Sequence, residues 1–144
     1  MDYKELALEF MQKMYKLRQA RPQKQITESM HGEHFILQFI AFHKGSVLPS
    51  EISNEMGISS ARIAATLNSL ERKGLIVRQI DISDRRRILV DLTSEGKALA
   101  EEHHQEAMEM LTKVLSSLGE HDAREYVRIT GRLAETAPQF KEMK

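Results

Sequence analysis

The chain has 144 residues, enough for one compact unit with a buried core. It has no cysteine, which excludes disulfides, cysteine-based zinc sites and thiol redox sensing. Its 21 basic and 21 acidic side chains cancel, and a net charge of zero argues at first against a nucleic-acid partner. The distribution reverses that. From Ile58 to Val90 seven basic residues face three acidic ones, whereas from Asp91 to Lys144 seven basic residues face eleven acidic ones. Local field matters more than the sum. No apolar run approaches the roughly 20 residues needed to span a bilayer. Met1–Glu5 lacks the layout of a signal peptide, so a cytoplasmic setting is expected.

In chain order, Tyr3, Leu6, Phe10, Met14 and Leu17 recur at three- and four-residue steps and predict an amphipathic helix over 2–19. Residues 22–31 read as a polar connection. A second helix is expected from Gly32 to His43, apolar nearly all round and therefore central. Val47-Leu48-Pro49 reads as an extended entry to a short helix over 50–56, with Ile52 and Met56 inward. Gly57 suits the left-handed position past a helix end. Ser59 is placed to cap the next helix, whose buried stripe is Ile63, Leu67 and Leu70.

After Gly74, Leu75–Ile80 and Ile88–Leu92 are β-branched and strand-like, with a polar loop over 81–87. Thr93 is placed to cap a long helix that carries Leu99, Met110, Leu111, Val114, Leu115 and Leu118, and Gly119 breaks it. A last helix begins near Glu120 and carries Tyr126, Val127, Ile129 and Leu133. The expected fold is thus mainly α with a small β-wing. It is a winged helix-turn-helix over 32–96 in a single unit of 144 residues, flanked by dimerisation helices over 1–31 and 97–144. The terminal helices exceed what a small winged domain needs, so their apolar stripes are expected to meet each other and a second copy. A two-fold dimer matches palindromic DNA.

The helix from Ser60 presents small residues around a cation. Ser60, Ala61 and Ala65 leave room for base edges or phosphates beside Arg62, while Thr66 and Asn68 are candidates for the phosphate backbone. The loop that follows carries Arg85, Arg86 and Arg87. A narrow minor groove draws arginine, but three successive residues of a hairpin alternate direction and cannot share one role. There is no cysteine nucleophile, phosphate-binding glycine loop or HExxH pattern, and no Ser-His-Asp set suggested by spacing, so an enzyme is not expected. No cofactor is expected.

Three runs carry a resemblance: Leu48-Pro49-Ser50-Glu51-Ile52, Leu70-Glu71-Arg72-Lys73-Gly74-Leu75-Ile76, and Asp84-Arg85-Arg86 with Leu92-Thr93-Ser94-Glu95-Gly96. In this order and spacing the chain resembles the MarR family of winged-helix transcriptional regulators over essentially its full length. The resemblance implies a triangular homodimer joined by its terminal helices and bound to palindromic promoter DNA, most often as a repressor. It also implies that Arg86 enters the minor groove and that Asp84 structures the wing by pairing with an arginine.

Family members often hold a small anionic or aromatic effector between the dimer helices and the reading head. Here His34, Phe35, Gln38, His43 and Met14 are the candidates for such a pocket. Some zinc-responsive members bind metal through an acid-histidine pair in each of two helices. Glu33-His34 and Glu102-His103 match that pattern, but Ala107 stands where a further histidine ligand is needed. No metal is therefore assigned, and a metal-responsive regulator is the alternative. A winged-helix module that binds protein instead of DNA is the alternative from another class.

Overall fold

The computed structural model describes residues 1–19 and 32–140. The connection read over 22–31 lies outside the described residues. The elements are α1 (Tyr3–Arg18), α2 (Glu33–Phe42), α3 (Pro49–Met56), α4 (Ser60–Arg72), β1 (Ile76–Ile80), β2 (Ile88–Leu92), α5 (Ser94–Leu118) and α6 (Glu120–Phe140). The chain divides into two compact units, Met1–Ala107 and Met108–Lys144, with the boundary inside α5.

The core belongs to the first unit. Ile36, Leu37 and Ile40 of α2 meet Val47, Ile52 of α3, and Ile63, Leu67 and Leu70 of α4. Ile76, Val90 and Ala100 complete it from the hairpin and α5. Met56, Ile58 and Leu99 pack on its margin. The expected all-round burial of α2 is corrected in one respect. Phe42 is 68% exposed, with its ring edge-on to His104 at 5.3 Å. Only one face of α2 is fully buried.

Local chemistry sets the boundaries. α3 starts one residue earlier than its sequence suggests, because Pro49 is tolerated at the first helical position, where its missing N–H costs nothing. Gly57 closes α3 in the left-handed region at φ 64°. Ser59 caps α4 by accepting from the Arg62 N–H at 3.3 Å. Val47 and Val90 exchange two backbone hydrogen bonds of 3.0 and 2.8 Å, so the extended entry to α3 becomes a one-residue third strand beside the hairpin. β1 and β2 are antiparallel, with Ile76 opposite Leu92, Arg78 opposite Val90 and Ile80 opposite Ile88.

Thr93 ties the hairpin to α5. Its hydroxyl donates to the Gly74 carbonyl at 2.7 Å and accepts from the Gly96 N–H at 3.0 Å, and its own N–H reaches the Leu75 carbonyl. The first turn of α5 is thereby held so close to Leu75 that a Cβ on Gly96 would lie 2.0 Å from the Leu75 carbonyl oxygen. A backbone atom cannot swing aside as a side chain can. Gly96→Ala should therefore destabilise the chain by about 1–3 kcal/mol, towards the upper end. Denaturant unfolding of the two chains under identical conditions checks this, and equal midpoints would contradict it.

Candidate nucleic-acid interface

α4 is anchored by its buried stripe, so the opposite side faces outward. Ser60, Ala61, Arg62, Ala65 and Asn68 are exposed, and Thr66 is half-buried. The Thr66 hydroxyl donates to the Arg62 carbonyl at 3.0 Å, which occupies the only proton it could offer a phosphate. The Asn68 side-chain oxygen accepts from Arg78 at 2.7 Å, which leaves the two amide N–H groups for an outside acceptor.

Arg78 joins the wing to α4. Its Nε and Nη2 both bind the Glu71 carboxylate at 3.1 Å, and Nη2 also reaches Asn68. The hydrogen bond to Arg78 holds the Glu71 carboxyl below its ordinary range, and the Arg78 guanidinium is correspondingly raised. Sequence reasoning counted Arg78 as local positive charge and missed this brace.

Inside the wing loop the organising carboxylate is Asp81, which sequence reasoning also missed. Asp81 is buried. It accepts from the Ser83 hydroxyl at 2.7 Å, the Ser83 N–H at 2.9 Å, and Arg87 at 2.8 and 3.2 Å. The Ser83 hydroxyl, followed by Arg87, lowers its pKa to about 2. The signal was present as Asp-x-Ser at a strand end, the pattern of an Asx turn. Asp84 also braces the loop, accepting from the Arg86 N–H at 3.1 Å and Arg86 Nε at 3.2 Å.

The three wing arginines divide as their alternation requires. Arg87 folds back onto Asp81, while the Arg86 side chain is 90% exposed. Arg85 is exposed, and it makes no ion pair with the described residues.

The residues expected to line an effector pocket separate. His34 and Gln38 face α5: His34 Nδ1 lies 2.9 Å from His103 Nδ1, and the Gln38 amide donates to the Ala100 carbonyl. His43 turns to α3 instead, with Nε2 3.0 Å from Glu51. Phe35 is half-buried, and Met14 lies on α1, none of whose residues is buried.

Of the alternative metal set, His34 and His103 stay together and Glu33 turns away. Glu33 is held by Ser69 Oγ at 2.7 Å and Lys73 Nζ at 2.6 Å, so its carboxylate serves α4 and not the histidine pair. Among the described residues no three histidine or acidic side chains are grouped to hold a metal ion.

Two imidazole nitrogens at 2.9 Å require one to donate and the other to accept. Burial, then the neighbouring His34, pushes the His103 pKa down, with Glu106 and Glu102 opposing. The folded chain thus binds this proton more weakly than the unfolded chain. The stabilising contribution is complete above pH 6.5 and is lost as pH falls through the lower folded value. The melting temperature should drop on acidification below that point, and His103→Gln should flatten the drop. Parallel curves for the two chains between pH 7.5 and 5 would contradict the assignment.

A MarR-family model matches residues 26–87. The chain is 33% identical over 103 residues to the transcriptional repressor MdtR of Bacillus subtilis, covering 72% of this chain and 66% of MdtR. It is 28% identical over 94 residues to the repressor YetL of the same organism, covering 65% of this chain and 56% of YetL. The chain thus spans somewhat more than half the length of these curated relatives. Among solved structures, the YusO protein of Bacillus subtilis superimposes with a TM-score of 0.71 at 28% identity, covering 94% of this chain and 99% of that one. With the winged architecture, these likenesses place the chain in the MarR family of helix-turn-helix transcriptional regulators, to which it belongs.

Proposed function

We propose that this protein is a homodimeric DNA-binding transcriptional regulator that represses palindromic promoter sites and is relieved by a small effector. The observation that carries the reading is the pairing of two surfaces in one unit. One is the small-residue face of α4 around Arg62, and the other is a wing whose own carboxylates hold it rigid while Arg85 and Arg86 project. The first suits a major groove and the second a minor groove. Arg78, bonded to Glu71 and Asn68, keeps the two in register. Repression is supported by the names of MdtR and YetL. A role at promoters goes with a cytoplasmic setting. No described helix is long and apolar enough to cross a membrane.

Dimerisation is supported by uncovered apolar stripes. Leu6, Phe10 and Met14 of α1 are 50, 63 and 36% exposed, and Tyr126, Val127 and Leu133 of α6 are 60, 57 and 56% exposed. Each stripe recurs at helical spacing, and water is a poor partner for it. The effector site that fits best is the side of α2 that meets α5, at His34, Phe35 and Gln38. An effector there would act by preferring one dimer geometry over another.

Sedimentation equilibrium at micromolar concentration should give twice the chain mass of 16.6 kDa. A monomer at that concentration would remove the dimer from the proposal.

DNA reading is tested by selecting bound sequences from a random duplex pool, which should return a palindrome. Against that operator, Arg62→Ala should weaken binding by about 1–3 kcal/mol and relax base preference. Arg86→Ala should weaken it by a similar amount and also flatten the salt dependence, because fewer counterions are released. Parent-like binding by both variants across a salt series would refute the assignment of these two surfaces.

A further inference from the structure

The wing loop holds an isoleucine out into water. Ile82 sits between Asp81 and Ser83, at the apex of the turn closed by the Asp81 carboxylate, and it is 94% exposed. Turn positions of this kind usually carry glycine, asparagine, aspartate or serine. A β-branched apolar side chain there stabilises nothing in the chain that carries it. Behind it, Ile80 and Ile88 stand opposite each other in the hairpin and are 65 and 46% exposed, so the apolar surface continues along the ladder. Beside it on the same loop are the exposed Arg85 and Arg86.

We propose that Ile82 is a DNA contact of the wing, an apolar tip that packs against the deoxyribose walls of the minor groove while Arg85 and Arg86 meet its phosphates and floor. This rests on the DNA-binding reading above and adds to it a residue that carries no charge. DNA complements this tip better than a protein surface does. The minor groove offers apolar sugar edges framed by negative potential, and architectural proteins use aliphatic side chains beside cations there. A protein partner covering Ile82 would have to accommodate two adjoining cations as well. The loop is also built in advance of its partner. The Asp81 hydrogen bonds to Ser83 and Arg87 fix the turn, so little ordering entropy is lost when the tip is engaged.

The test compares the full-length parent, Ile82→Ser, Ile82→Leu and Arg86→Ala on the operator recovered from the random pool. Melting curves and sedimentation should be unchanged in Ile82→Ser, since the side chain touches water. Its affinity should fall about fivefold to tenfold, the scale of returning part of one aliphatic side chain to water. Ile82→Leu should stay within about twofold, because an aliphatic swap keeps most of the buried area. The slope of affinity against salt should match the parent in Ile82→Ser and be shallower in Arg86→Ala. Hydroxyl-radical footprinting, which reports sugar exposure in the minor groove, should show minor-groove protection by the parent that Ile82→Ser loses.

Parent-like affinity and an intact minor-groove footprint in Ile82→Ser would overturn the inference while leaving the DNA reading in place. A concentration-dependent higher oligomer of the parent, dissolved by Ile82→Ser with operator affinity unaltered, would overturn it in favour of a second copy as the occupant. A random pool that yields no enriched duplex would refute the DNA reading itself, and the inference with it.

Discussion

Ile63, Leu67 and Leu70 are at most 1% exposed, and their burial sets the rotation of α4 about its own axis. Side chains on a helix advance by about 100° per residue. Once these three point into the core, Arg62, Ala65 and Asn68 have no choice but to face out. The orientation of this outward face is therefore a consequence of core packing. A change in the stripe that rolled the helix would move every outward residue together, and the wing with it, because Arg78 ties β1 to Glu71 and Asn68 of the same helix.

Charge in this protein is local. The excess of basic residues between Ile58 and Val90 is partly neutralised within the unit. Arg78 is held by Glu71, Arg87 by Asp81, and Lys73 by Glu33. Such pairs, mostly near the surface, contribute little stability individually. Their effect is geometric: they hold a strand to a helix, a loop to itself, and α4 to α2. Outside these braces stand Arg62 on the helix and Arg85 on the wing, and Arg86, held by Asp84 through Nε alone, keeps a side chain that is 90% exposed. In the proposed DNA complex, such bracing would let the remaining cations act from a rigid frame, so less ordering is needed.

α2 carries contacts on two sides. Glu33 bonds Ser69 of α4 and Lys73 at its C-terminal end, and the adjoining His34 meets His103 of α5. Neighbouring residues on one helix thus touch both α4 and α5. A ligand or proton that altered the histidine contact would act on the element that also holds α4. That arrangement gives the proposed effector relief a physical route, a direct chain of packed contacts from the α5 side of α2 to α4.

The order of elements, the α4 stripe, the Ser59 and Thr93 caps and the left-handed Gly57 were all legible in the sequence. Each depends on residues within a turn or two of one another, where periodicity and capping chemistry act. So was the outward face of α4, which follows from the stripe by helical geometry alone. The partners of the charged groups were not legible. Along the chain Arg87 read as a DNA contact, Arg78 as local positive charge and Glu33 as an alternative metal ligand, and nothing paired them with Asp81, Glu71 and Lys73. Only the packing of α2 on α4 and of the hairpin on α4, and the closing of the wing loop on itself, bring them within hydrogen-bond reach of each other. The exposure of Phe42 and the close approach of Gly96 to Leu75 were hidden for the same reason. Local sequence determined which surfaces this protein could present. Contacts between residues distant in the chain decided which charges would hold those surfaces in place, because an ion pair exists only where folding has already brought both ends together.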